Sequence, residues 1–318
     1  MPIIICNYVY WRIIMGVSIA EYFGQRTDVQ TPIIEPVTKT SSVKICPFMN
    51  KDCAKISKNL KPVCSVRKRN GDIWIVCRDR LCSTNKSISL TDYQKNILQT
   101  IAREVFSKNM KKKHIFIKRE ANIPVVGSSS YHADYIMSVK NFPDELRGPK
   151  NVVLEMQGGG ETSSTGKITS HVDTWEKKKN RTNIFLSQEV NAGTIETNAW
   201  RRQQEQFIIK GNIASQTGGG IVFCVGSPLY DYLWQRVSTA KLNDLRHHNW
   251  SMCLICFEED KEKQSKSGPI PLKINSSKVL FTNYITFVQT LINQGEPYPA
   301  MFAGTFETLD GETVEIDV

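Results

Sequence analysis

The segment NVVLEMQGGG, residues 151–160, constrains the chain more than any other. Val152, Val153 and Leu154 form an uninterrupted apolar run of the kind that a buried strand requires. The run ends in Glu155, Met156 and Gln157, and three glycines follow. Side chains two apart on a strand share a face. Glu155 and Gln157 are therefore expected side by side at the end of a core strand. The glycines beside them would let another backbone or a bulky group approach closely.

A second strand is expected just upstream, at YHADYIMSV (131–139), where His132 and Asp134 share a face. If the two strands are neighbours, Asp134 and Glu155 converge at one sheet edge. Two carboxylates held together repel unless a cation separates them or one is protonated. Mg²⁺ is the natural cation for such a pair, because it takes one or two carboxylates plus waters and phosphate oxygens. The chain is basic, with a formal net charge of +10 over 318 residues, which points to a polyanionic partner and above all to nucleic acid. A carboxylate–Mg²⁺ pair in a basic protein suggests phosphodiester hydrolysis. Asp134, then Glu155-x-Gln157, follows the D…E-x-K signature of the PD-(D/E)xK nuclease core, with glutamine where lysine usually stands. Lys167 is a candidate to enter the site from a loop, and Glu104 and Glu120 are candidate extra ligands.

Five of the nine cysteines, Cys46, Cys53, Cys64, Cys77 and Cys82, fall within residues 46–82. Such clustering in a reducing compartment favours metal over disulfides, and four thiolates suit zinc or iron. The stretch reads as too small and polar to hold a core unaided, so a metal would supply stability. Cys82 is a spare or an alternative ligand. Cys253 and Cys256, three apart in an apolar strand, face opposite ways and read as core.

A helix is expected from Thr91, its N-cap, with Ile97, Leu98, Ile101, Val105 and Phe106 at helical spacing. Strands follow at 114–118, 131–139 and 151–157, then a polar connection over 158–183. Residues 183–189 read as a strand or the approach to a helix. A helix is expected over 199–214, a strand and short helix over 218–234, and a core strand over 249–260. A lysine-rich loop (261–273), a helix near 282–295 and a strand-like acidic C-terminus complete the chain. Residues 18–26, SIAEYFGQR, read as a short helix closed by Gly24. The expected organisation is an apolar extension at 1–15, a cysteine-rich segment at 16–88 and an α/β domain at 89–318. Asn7 and Arg12 interrupt the apolar start, no run approaches the ~20 residues of a membrane span, and no leader peptide is evident. A cytoplasmic protein with no membrane partner is expected.

Together these blocks resemble the NotI-like type II restriction endonucleases. The resemblance rests on IAEYFGQR (19–26), similar to the family's N-terminal helix, and on the cysteine pattern of residues 46–80. It rests also on ADY (133–135), VLEMQ (153–157), WRRQQEQFIIKGNIAS (200–215) and GGGIVFCVGSPLYDYLW (218–234), in the family's order. It covers about two thirds of the chain, and the extra Cys82 departs from it. The resemblance implies a mixed α/β PD-(D/E)xK fold with a four-cysteine metal module. It implies a homodimer that cleaves palindromic GC-rich double-stranded DNA with Mg²⁺, alongside a cognate DNA methyltransferase in a bacterial host. Asp134, Glu155 and Gln157 carry over as catalytic residues, with Asp134, Glu155 and the Met156 carbonyl around Mg²⁺. Cys46, Cys53, Cys64 and Cys77 carry over as ligands of Fe or Zn. Arg201, Arg202, Gln204 and Gln206 are candidate DNA contacts, since Arg donors suit guanine O6 and N7. Two alternatives stand beside this reading: a non-catalytic, metal-stabilised DNA-binding protein, and a repair or recombination nuclease that reads DNA structure.

Overall fold

In the computed structural model, residues 16–317 are described apart from 83, 86–88, 124–129, 144–145, 147, 161, 241, 264 and 294–302. The apolar start at 1–15 thus lies outside the described residues, as do Ser128 and Ser129. The segment expected to form a helix at 18–26 is instead a hairpin, β1 (Val17–Tyr22) and β2 (Gln25–Arg26). Phe23 and Gly24 make its turn, both with positive φ. Ala20 and Glu21 are good helix formers, but tertiary burial overrides local preference, since Val17, Ile19, Ala20 and Tyr22 are all buried. Two short strands, β3 (Ile45–Cys46) and β4 (Lys51–Asp52), and one helical turn, α1 (Ala54–Ser57), lead to β5 (Val63–Lys68) and β6 (Ile73–Ile75). A short helix, α2 (Arg78–Cys82), ends the cysteine-rich segment.

The expected helix follows as α3 (Asp92–Val105). Thr91 caps it through a reciprocal box: its hydroxyl accepts from the Gln94 N–H, and the Gln94 side chain accepts from the Thr91 N–H. Then come β7 (Ile115–Ile123), β8 (Tyr131–Val139) and β9 (Asn151–Gln157), the last two at the bounds expected. The polar connection contains an unexpected helix, α4 (Thr165–Glu176), which buries Ile168, Val172 and Trp175. Residues 183–189 resolve into a helical turn, α5 (Asn183–Leu186), and β10 (Glu189–Val190). The long helix α6 (Glu196–Gln216), β11 (Gly220–Gly226), α7 (Ser227–Val237) and β12 (Met252–Glu259) match expectation. After the lysine-rich loop comes an unexpected strand, β13 (Leu272–Thr282), then α8 (Tyr284–Ile292) and a terminal hairpin, β14 (Gly304–Glu307) with β15 (Thr313–Ile316).

The main sheet has six strands in the order β13-β12-β11-β9-β8-β7. β7, β8 and β9 run antiparallel in sequence, whereas β9, β11 and β12 are parallel neighbours. Alternate side chains of the sheet feed two cores. Val152, Leu154 and Met156 meet α3 on one face, while Val153, Ile221 and Phe223 meet α6, α7 and α8 on the other. The protein is therefore a mixed α/β structure with a multi-strand sheet flanked by helices. Cys253 and Cys256 enter opposite cores, as their spacing requires.

The second sheet runs β10-β1-β5-β6, with β2 beside β1. It draws β10 from beyond residue 88, and its Val17, Tyr22 and Trp74 pack in the same core as Trp175 and Phe207. The cysteine-rich segment is thus continuous with the rest, rather than a polar module held by itself. At its centre Arg80, fully buried, donates to both oxygens of buried Glu21 at 2.8 and 3.0 Å. Glu21 also accepts from Ser65 Oγ (2.6 Å) and the Ile270 N–H (2.7 Å), and Arg80 also donates to Tyr93 Oη and the Ile270 carbonyl. Strands β1 and β5, helices α2 and α3, and the approach to β13 meet at this one pair. A buried charge pair is tolerable only when its remaining hydrogen-bonding capacity is met in this way.

Candidate active site

Register brings the two expected carboxylates together. β8 and β9 pair antiparallel with Tyr135 opposite Leu154, which sets Asp134 opposite Glu155. Each clasps the other strand: the Met156 N–H donates to Asp134 Oδ2 at 2.9 Å, and the Asp134 N–H donates to Glu155 Oε1 at 3.3 Å. Glu155 is almost fully buried, on the face that looks toward α6. Burial first, and then the charge of Asp134, push its carboxyl up to about 7. Asp134 is also raised, chiefly by burial, with Glu120 adding to the effect.

Sequence reasoning missed one member of this group. Lys210, on the inner face of α6, places Nζ 2.8 Å from Glu155 Oε2, with both side chains almost entirely out of solvent. Trp200, Phe207, Gly211 and Ala214 are buried along the same helix at spacings of three, four and seven, so Lys210 sits in an otherwise apolar stripe. A lysine within such a stripe was the available signal. Lys167, the lysine expected to enter from a loop, lies exposed in the first turn of α4. Glu104 is not beside the carboxylates either, because it pairs with Arg246. Glu120 does lie near: it occupies the β7 position between Arg119 and Ala121, which pair with Tyr135 and Ala133 on either side of Asp134. Its φ of +42° marks an irregularity in the strand there, and its carboxylate accepts from Thr84 Oγ1 at 3.3 Å.

Gln157 is half-buried and donates from Nε2 to the Gly159 carbonyl at 2.7 Å. The glycine tract has a specific cause. Gly159 bridges to Ile75 of β6, the Gly160 N–H donates to the Ile75 carbonyl at 2.9 Å, and Trp74 Nε1 donates to the Gly160 carbonyl at 3.1 Å. A Cβ on Gly158 would lie 2.6 Å from the Ile75 side chain, and one on Gly159 would lie 2.8 Å from the Trp74 ring. The close approach that these glycines allow is therefore that of the second sheet.

Beyond Gln157 opens a cleft of ≈ 530 Å³, walled by the cysteine-rich segment on one side and the start of α6 on the other. Lys55, Lys58, Arg78 and Arg202 line it, four cations facing the end of β9. Arg78 is 88 % exposed and its charge acts on Asp134. Arg201, Arg202, Gln204 and Gln206 all lie on the exposed side of α6, and of these Arg202 reaches the cleft, against Gly160.

Cys46, Cys53 and Cys64 are buried in one small cluster with Phe48, Met49 and Ile56, and Cys77 packs against it. Burial raises the Cys46 thiol to about 12 and raises Cys64 and Cys77 as well, with their mutual charge adding to it. Backbone N–H groups are directed at three of the sulfurs: Phe48 at Cys46, Asp79 at Cys77 and Gly24 at Cys64 (3.3 Å). Such donors favour the thiolate form that a metal binds. The donor chemistry suits a soft metal, yet among the described residues no group of three or more His, Cys, Asp or Glu is arranged to hold one. The four thiols share a pocket without closing into a site. Cys82 stands apart: it lies in the core beneath the main sheet, with Sγ 3.3 Å from Tyr135 Oη.

No family model matches the chain, and no curated protein matches it. Among the described residues no helix is long and apolar enough to cross a membrane.

Proposed function

We propose that this protein is a Mg²⁺-dependent endonuclease of the type II restriction kind, built on a PD-(D/E)xK core. Its substrate is palindromic GC-rich double-stranded DNA, cut by a homodimer to leave 5′-phosphates. The observation that carries this reading is Asp134 beside Glu155 on adjacent strands, next in sequence to Met156 and Gln157, which line a cleft with four cations. The order helix, three antiparallel strands, crossover helix and parallel strand (α3, β7, β8, β9, α6, β11) agrees with it. The resemblance of the sequence blocks to the NotI-like enzymes supplies the substrate class.

Asp134, Glu155 and the Met156 carbonyl would hold Mg²⁺, and their chemistry fits it. A buried carboxylate, Glu155, and a half-buried one, Asp134, both with raised proton affinity, favour further positive charge beside them. When bound, the ion would acidify a water and neutralise charge on phosphorus. The chain's own residues do the rest. Lys55, Lys58, Arg78 and Arg202 hold backbone phosphates in the cleft. Gln157, at the end of β9, aligns the attacking water. Arg201, Gln204 and Gln206 face outward from α6 to meet base edges. Cys46, Cys53, Cys64 and Cys77, which cluster without closing into a site, would hold Fe or Zn only by drawing closer together, with no part in hydrolysis.

The test is incubation of the purified protein with supercoiled plasmid and genomic DNA, with Mg²⁺ or with a chelator. Discrete fragments with 5′-phosphate ends, seen only with Mg²⁺, bear the reading out. Binding with no cleavage in any divalent metal overturns it.

A further inference from the structure

The β9 motif raises a chemical problem. Its third position, Gln157, can orient a water but carries no charge with which to favour hydroxide or steady a phosphorane-like transition state. Mg²⁺ would supply part of that charge, and a fixed cation of the chain's own would add to it. The only lysine or arginine in the ion-pair contacts of Glu155 among the described residues is Lys210, at 2.8 Å, 1 % exposed. Burying an ammonium is costly unless a partner compensates, so a lysine at this depth calls for a reason. Packing does not supply one, since its neighbours along the inner face of α6 are Phe207, Gly211 and Ala214. Gly211 has no side chain because Tyr284 occupies the space where a Cβ would stand, and this seats α6 close against α8. Tyr284 also donates from its hydroxyl to the Ile208 carbonyl, fixing the turn that carries Lys210.

We infer that Lys210 supplies, from the crossover helix, the positive charge that the third position of the strand motif lacks, acting as a positioning residue for Glu155 and the attacking water. This rests on the nuclease reading above. Glu155 is held at Oε2 by Lys210 and at Oε1 by the Asp134 N–H, while Asp134 Oδ2 accepts from the Met156 N–H. In hydrolysis the water oxygen forms its bond to phosphorus as the P–O3′ bond breaks. One water proton passes to solvent, and O3′ takes one from solvent. Lys210 exchanges no proton in this step: it orients Glu155 and offsets charge that gathers at the reacting phosphate.

The experiment uses full-length protein with the single variants Lys210→Met and Lys210→Arg and the double variant Lys210→Met/Gln157→Lys. Single-turnover cleavage is measured with Mg²⁺, duplex affinity with Ca²⁺, and folding by circular dichroism. Lys210→Met is expected to cut about 10²–10³-fold more slowly, with affinity within about threefold of wild type. Gln157→Lys in that background, returning a lysine to the strand, is expected to restore at least about tenfold. A merely structural lysine predicts no such rescue. Lys210→Arg, which keeps the charge but moves it, is expected to fold and to cut at least about tenfold more slowly; it decides the matter if Lys210→Met does not fold. The inference is overturned if a folded position-210 variant cuts within about threefold of wild type, or if Gln157→Lys restores nothing to a folded Lys210→Met protein. If the wild type itself never cuts, it is the nuclease reading that has failed.

Discussion

Asp134 and Glu155 each accept a hydrogen bond from the other's strand, Asp134 Oδ2 from the Met156 N–H and Glu155 Oε1 from the Asp134 N–H. The strands are thereby tied by the same carboxylates that the proposed chemistry needs. Asp134→Asn keeps an acceptor for the Met156 N–H and removes only charge. It is expected to fold as wild type and to lose cleavage by on the order of 10³-fold or more, while still binding duplex DNA. Gel-shift and plasmid assays on the same sample check this; cleavage at wild-type rate would remove Asp134 from the site.

The raised carboxyl of Glu155 has a consequence for stability in metal-free protein. Its folded value, about 7, lies above the ordinary 4.5, because burial and the Asp134 charge outweigh Lys210. Between these values the native state holds a proton that the unfolded chain has released, so stability falls as pH rises. The contribution is complete below about 4.5 and gone above about 7. Glu155→Gln removes this decline. Urea melts of both proteins from pH 4 to 8 should diverge by on the order of 1–3 kcal/mol across the window, with the variant relatively more stable at the alkaline end. A constant difference across pH counts against the burial argument.

The two kinds of cysteine predict different metal contents. Cys64→Ser, in the four-thiol pocket, is expected to abolish stoichiometric iron or zinc in the purified protein. Cys82→Ser should leave it unchanged, because Cys82 contacts Tyr135 under the main sheet. Elemental analysis of the wild type and both variants decides between them, and wild-type protein with neither metal removes the tetrathiolate proposal.

Arg80→Met leaves Glu21 charged and unpaired in the interior. Loss of one partner from a buried pair costs about 3–5 kcal/mol, which should appear in thermal or urea unfolding. Arg80→Met/Glu21→Gln is expected to recover part of that. A single-variant loss below about 1 kcal/mol would mean that the pair is not sealed from solvent.

Much of the main sheet was legible in the sequence. YHADYIMSV and NVVLEMQ carry enough apolar and β-branched residues to fix both strands, and antiparallel register then sets Asp134 against Glu155. What escaped were elements decided by distant partners. Val17–Tyr22 is made of residues that also suit a helix, and only pairing with β5 and β10 fixes it as a strand. Helix α4 shows three apolar residues in a polar stretch, and its Ser164 cap is left-handed with no side-chain cap bond. Strand β13 begins with half-buried residues of mixed character, passes through exposed Ser276 and Ser277, and is buried only from Val279, where it crosses the core. Lys210 is separated from Glu155 by 55 residues, so no local spacing announces the pair.

The Glu21–Arg80 hub bears on how the chain evolves and breaks. Arg80 lies three residues after Cys77 and two before Cys82, yet its guanidinium reaches β1 and the approach to β13. A protease nick or an insertion in the thiol-bearing stretch would therefore be felt in the last third of the polypeptide. The cysteine segment could not be grafted onto another scaffold, or trimmed away, without stripping buried partners from α3 and from the approach to β13.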